Sequence, residues 1–184
     1  MFANFYPDRF YESAYIIEYD QIYAEGFRGI IFDVDNTLVP HGAPADERSI
    51  QLFKTLHELG FEVLLLSNNK EPRVKSFSEQ VIYAKYIYKG GKPSKRGYLK
   101  AMEIMGTNKD NTLFVGDQLF TDVWGAKRSG LRSYLTSPIH PKEEIQIVLK
   151  RRLERIVLFF YKRICKKENR PYMIKKELQK EENS

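Results

Sequence analysis

The chain has one cysteine, Cys165, and one tryptophan, Trp124, among 184 residues. A single thiol excludes an intramolecular disulfide and any Cys-cluster metal site, and it fits a reducing compartment. No apolar run approaches the roughly 20 residues that a membrane-spanning helix needs. The first residues, Met1 to Asp8, lack the basic and then apolar segments of a secretory signal, so the expected location is the cytoplasm. There is no internal repeat and no low-complexity tract. The length suits one α/β domain and is too short for two of ordinary size.

Charge is present but unevenly placed. Residues 1–139 hold 17 basic and 17 acidic side chains, whereas residues 140–184 hold 13 basic and 7 acidic ones. The formal net charge of +6 therefore belongs to the C-terminal segment, which predicts an anionic partner for it.

The middle of the chain alternates strand-like and helical stretches. Gly29-Ile30-Ile31-Phe32 is a continuous apolar run that ends in Asp33. Residues 46–59 read as a helix with Ile50, Leu52, Phe53 and Leu56 on one face and Gly60 as its stop. Further strands are expected at 61–66, 81–86, 112–115 and 131–136, and further helices at 71–80, 94–105 and 120–129. Five strands separated by helices predict a Rossmann-like α/β sandwich of three layers around a mainly parallel five-stranded sheet. We assign residues 28–139 to this core. Residues 1–27 form an aromatic-rich flank expected to be helical. Residues 140–184 form a basic amphipathic helix with Leu149, Leu153, Ile156, Val157, Phe160 and Ile164 at helical spacing, then a charged tail expected to be frayed from about Lys166.

Polar residues gather just beyond the strands. Asp33-Val34-Asp35-Asn36-Thr37 follows the first, Ser67-Asn68-Asn69 the second, Lys92-Pro93 lies beyond the third, and Gly116-Asp117 follows the fourth. The carboxyl ends of parallel strands share one edge, so these clusters are expected to converge there. Asp33, Asp35 and Asp117 brought together would repel unless a hard cation offset them, and an oxygen-only set suits Mg²⁺. A lysine, a hydroxyl and turn N–H groups beside that cation would hold an anion, as phosphoryl transfer requires. His41, His57 and His140 have no metal spacing; His41 reads as a solvated loop residue or a substrate contact, and Trp124 as helix-face packing.

The ordered set resembles the four motifs of haloacid dehalogenase superfamily phosphatases across residues 29–136. Asp33-Val34-Asp35-Asn36-Thr37 is similar to the first, Ser67 to the second, Lys92-Pro93 to the third, and Gly116-Asp117 through Asp122 to the fourth. The nearest subgroup is subclass IIIA, the YqeG-like proteins, which include phosphatidylglycerophosphate phosphatases. The resemblance implies that Asp33 attacks phosphorus and that Asp35 serves as general acid and base. It implies that Ser67, Asn68 and Lys92 hold the phosphoryl group. It places Mg²⁺ on the Asp33 side chain, the Asp35 carbonyl and Asp117, with Asp122 in the outer shell or binding directly.

Spacing bears on substrate. Neither Asp33 to Ser67 nor Ser67 to Lys92 leaves room for a cap domain in addition to the expected elements. An open site suits a phosphate displayed on something large, and the aromatic and basic flanks favour an anionic membrane surface. The expectation is a peripheral lipid-phosphate phosphatase, with phosphatidylglycerophosphate favoured. Soluble phosphates or phosphoproteins are the alternative, nucleic acid bound by the basic tail is disfavoured, and a homo-oligomer is left open.

Overall fold

The computed structural model describes residues 3–140 and 145–175. Six parallel strands form one sheet in the order β1-β6-β5-β2-β3-β4. They are β1 (Arg9–Tyr11), β2 (Gly29–Phe32), β3 (Glu62–Leu66), β4 (Ala84–Ile87), β5 (Thr112–Gly116) and β6 (Arg132–Thr136). The helices are α1 (Tyr19–Ala24), α2 (Glu47–Leu59), α3 (Glu71–Val81), α4 (Lys95–Met105), α5 (Trp124–Arg128) and α6 (Ile145–Lys167).

The central strands are buried on both faces, which is why they read as unbroken apolar runs. Ile30 and Phe32, Val63 and Leu65, and Leu113 and Val115 pack on one side, against Phe53 and Leu56 of α2 and Phe77 of α3. The alternate residues Ile31, Leu64, Leu66 and Phe114 pack on the other side, against Tyr98, Ala101 and Met105 of α4. Alternation at period two thus yields three layers.

Local chemistry sets the helix ends. Asp46 caps α2 by accepting from the Ser49 amide at 2.8 Å, while Ser49 Oγ accepts from the Asp46 amide at 2.9 Å. Gly60 ends α2 at φ +93°, a left-handed conformation with little cost for glycine. On α2 Phe53 and Leu56 are buried as expected and Leu52 is half-buried, whereas Ile50 is 42% exposed and Ser49 takes the buried position before it.

The sheet has six strands, where five were expected. The extra strand, β1, comes from the aromatic flank and pairs with β6, Phe10 level with Leu135. The C-terminal chain also docks. Val157, Tyr161 and Cys165 of α6 are buried with Phe10, Leu119, Val123 and Leu135. Leu153, Ile156 and Phe160, expected on the same stripe, are exposed, and the side chain of Leu149 lies outside the described residues. In the segment after α6, the Ile174 amide donates to the Phe10 carbonyl at 2.7 Å. The remainder of the expected tail lies outside the described residues. Among the described residues, no helix is long and apolar enough to cross a membrane.

Candidate active site

Register brings the polar clusters to one edge. Phe32 lies level with Leu65 and Val115, so Asp33, Ser67 and Asp117 all emerge at the carboxyl ends of adjacent strands. Asp33 and Ser67 open into a pocket of about 280 Å³ lined also by Asp35, His41, Asn68 and Lys92, among others.

Lys92 is the electrostatic centre. Its Nζ donates to Asp33 Oδ1 at 2.5 Å and to Asp122 Oδ1 at 2.7 Å, and its side chain is only 3% exposed. Burial would push its pKa down, but Asp122 and Asp33 outweigh that and hold it above the ordinary lysine value. The pKa of Asp33 is raised to about 6, chiefly by burial; Lys92 opposes the shift and Asp122 adds to it. Thr37 Oγ1 lies 3.5 Å from Asp33 Oδ2 and 3.3 Å from Asp117 Oδ1, linking the two carboxylates.

Asp122 reaches the centre through a five-residue π turn, Leu119–Val123, that precedes α5. Its Oδ2 accepts from the Gln118 amide at 3.0 Å. Gly116 is needed at the end of β5, because a Cβ there would sit 2.6 Å from Asp122 Oδ2. Tyr98 of α4 supports the turn from below, its hydroxyl 2.8 Å from the Thr121 carbonyl.

Asp33, Asp117 and Asp122 offer oxygens within 4.8 Å of one another, and all three are buried. Three carboxylates against one ammonium leave excess negative charge in a buried site, and the donor set is oxygen alone. A hard divalent cation fits both features. Asp122 stands in this group beside Asp33 and Asp117, while the Asp35 side chain does not.

Asp35, as buried as Asp33, is held by other partners. Its Oδ1 accepts from the Gly42 amide at 2.7 Å and from Arg73 Nη2 at 2.9 Å, and its Oδ2 from Asn69 Nδ2 at 2.6 Å. His41 Nδ1 is 4.0 Å away. Ser67 Oγ accepts from the Asn69 amide at 3.1 Å. Asn68 grips the Lys92 backbone, accepting from its amide at 2.8 Å and donating to its carbonyl at 3.1 Å.

Sequence reasoning did not single out Arg73, Asn69, Thr37, Tyr98 or Glu154. Asn69 and Thr37 sit inside recognised clusters and were there to be found. Arg73 and Tyr98 lie on helices and carry no local signal. Glu154 of α6 is 4% exposed and accepts from the Leu119 amide at 2.7 Å, although it stands 35 residues from that turn. Trp124 packs, its ring stacked 5.3 Å from Phe5, and His57 stacks on Tyr83.

A family model described as haloacid dehalogenase-like hydrolase matches residues 44–130. A protein of Bacillus subtilis (strain 168) named "Probable phosphatase YqeG" is 36% identical over 160 residues, covering 86% of this chain and 92% of its own length. Phosphatidylglycerophosphate phosphatase 1 of Arabidopsis thaliana is 27% identical over 172 residues, which span 84% of this chain and 47% of that protein. A solved haloacid dehalogenase-superfamily hydrolase from Ehrlichia chaffeensis shares the fold, with TM-score 0.50 and 15% identity over 70% of this chain and 97% of its own. The likeness extends along most of the chain, which belongs to the haloacid dehalogenase-like hydrolases as one of their phosphatases.

Proposed function

We propose that the protein is a Mg²⁺-dependent phosphomonoester hydrolase that works through a phosphorylated Asp33 on a lipid phosphate at a membrane surface. The observation that carries the chemistry is Lys92, bound to both Asp33 and Asp122 on the floor of the pocket. An oxygen of Asp33 forms a bond to phosphorus while the bond to the substrate alcohol breaks. Asp35 supplies that alcohol with its proton, then takes a proton from the water that attacks phosphorus and frees the Asp33 carboxylate and inorganic phosphate. To do so, Asp35 turns inward from Arg73 and Asn69. Ser67 and Lys92 hold the phosphoryl oxygens, and Asn68 fixes Lys92. Mg²⁺, held by Asp33, Asp117 and Asp122, would neutralise charge developing on those oxygens.

The substrate class is supported by the likeness to a phosphatidylglycerophosphate phosphatase and by the short connections at the site. Only residues 33–46 separate β2 from α2, and only residues 67–70 separate β3 from α3. We take the site to act without a cap, open to a headgroup.

The test is hydrolysis of phosphatidylglycerophosphate, sugar phosphates and a phosphopeptide by the pure protein in Mg²⁺, with and without chelator. The lipid is expected to be preferred, and chelation is expected to stop turnover. Asp33→Asn should lower the rate by about a thousandfold or more while leaving the fold intact, because an amide does not attack phosphorus. A variant keeping a tenth of the rate would remove the covalent step, and preference for a soluble ester would remove the lipid.

A further inference from the structure

The outward side of α6 combines two features that monomeric proteins seldom leave in water together. Leu153 is 52% exposed, Ile156 56%, Phe159 55% and Phe160 41%. Among them stand six exposed cations, Arg152, Arg155, Lys162, Arg163, Lys166 and Lys167. The one acid from residue 152 to 167, Glu154, points inward onto the Leu119 amide. Toward its C-terminal end this side opens into a cleft of about 580 Å³ lined in part by Phe159, Lys162, Arg163, Lys166, Arg170 and Tyr172.

We propose that this outer side of α6 is a docking face for a bilayer containing anionic phospholipid. The proposal rests on the lipid-phosphate reading above and adds which surface meets the lipid. Leu153, Ile156, Phe159 and Phe160 enter the headgroup boundary, and the cations meet lipid phosphates, the cleft holding one headgroup. The helix lies in the plane of the surface rather than across it, in keeping with its charge.

Charge selects this occupant over others. A second copy would set six cations against six, with Glu168 the one exposed acid at this end of the helix and already paired to Arg170. A nucleic acid would satisfy the cations and leave Leu153 and Ile156 against a polar backbone. An anionic bilayer alone offers phosphates and hydrocarbon at one boundary. The inner side of α6 stays packed meanwhile, since Val157, Tyr161 and Cys165 are buried in the domain. Docking therefore needs no unfolding, and Glu154 ties the docked helix to the turn that carries Asp122.

The test uses the full chain and sedimentation with vesicles of phosphatidylglycerol and phosphatidylcholine, or of phosphatidylcholine alone. Two variants separate the forces: L153S/I156S/F159S removes apolar contact, and R152Q/R155Q/R163Q removes charge. We expect the parent protein to bind the anionic vesicles at least about tenfold more tightly than the neutral ones, and each variant to lose about tenfold or more. About 0.5 M NaCl should release most of the bound protein. Hydrolysis of p-nitrophenyl phosphate should be unchanged in both variants, which excludes misfolding as the cause. Absence of binding at low salt, or equal binding by parent and apolar variant, would overturn the proposal. So would a concentration-dependent dimer, or tighter binding to duplex RNA, lost in the same variants. Vesicle binding with no hydrolysis of lipid phosphate would uphold the docking face and overturn the substrate reading. Hydrolysis of detergent-dispersed lipid phosphate with no vesicle binding would do the reverse.

Discussion

Lys92 shows how a single side chain holds the site together before any metal arrives. It is buried between Asp33 and Asp122 and offsets part of the charge of three clustered carboxylates. Removing one partner of a buried ion pair commonly costs about 3–5 kcal/mol, because the other charge is left uncompensated. Lys92→Met should therefore lower the melting temperature in chelator, and Mg²⁺ should restore much of the loss by supplying the missing positive charge. An equal drop with and without Mg²⁺ would show that the lysine acts through packing alone. The raised pKa of Asp33 gives a second expectation. In the metal-free protein the group is protonated below about pH 6, mainly because burial disfavours its charge. A cation must then displace that proton. The Mg²⁺ affinity should fall as pH drops through about 6, with proton release measurable by calorimetry in buffers of different ionisation enthalpy. A flat affinity between pH 5 and 8 would place Asp33 outside the metal's ligands.

At the scale of elements, the turn Leu119–Val123 depends on a helix far away in sequence. Glu154 of α6 accepts from the Leu119 amide, and that turn fixes Asp122 beside Lys92. A hydrogen bond to a charged group contributes about 1.5–3 kcal/mol. Groups that orient a metal's ligands typically change its affinity by about 10–100-fold when removed. Glu154→Ala should thus weaken Mg²⁺ binding by roughly tenfold and lower stability by about 2 kcal/mol. Unchanged affinity in a less stable protein would reduce Glu154 to a structural role. This coupling was not legible in the sequence, and the reason is physical. The strands β2, β3 and β5 could be read because burial on both faces demands continuous apolar runs. The edge strand β1 is three residues, Arg9–Tyr11, and shows no periodicity of its own; its pairing with β6 is decided by tertiary contact. The π turn arises from local bonds such as Val123 to the Gln118 carbonyl, which no side-chain pattern announces. The site clusters were legible because each follows a strand. Their cross-links, Arg73 and Asn69 on Asp35 and Asn68 on Lys92, span 24 to 38 residues and appear only once the sheet is assembled.

At the scale of the molecule, the two flanks join the core rather than hang from it. β1 extends the sheet, α6 covers the cluster of Phe10, Leu119, Val123 and Leu135, and the segment after α6 bonds back to β1. Val157 is 5% exposed, and Tyr161 and Cys165 are fully buried. Burying such side chains contributes about 1.5–3 kcal/mol for the larger ones, so their joint loss is on the order of 5 kcal/mol. That is comparable with the whole margin of a typical domain, about 5–15 kcal/mol. Deleting residues 150–184 should consequently lower the melting temperature by about 10 °C or more. It should also abolish hydrolysis of lipid and soluble esters alike, because the Leu119–Val123 turn loses both its cover and Glu154. Read from the sequence alone, as a basic helix suited to an anionic surface, the same segment would on deletion impair lipid-phosphate hydrolysis more than that of a small soluble ester. The buried row on α6 makes the helix part of the core, so targeting must be separated from folding by substitutions on its outer side. A truncated protein that melted like the parent and still hydrolysed p-nitrophenyl phosphate would show that the core stands without α6.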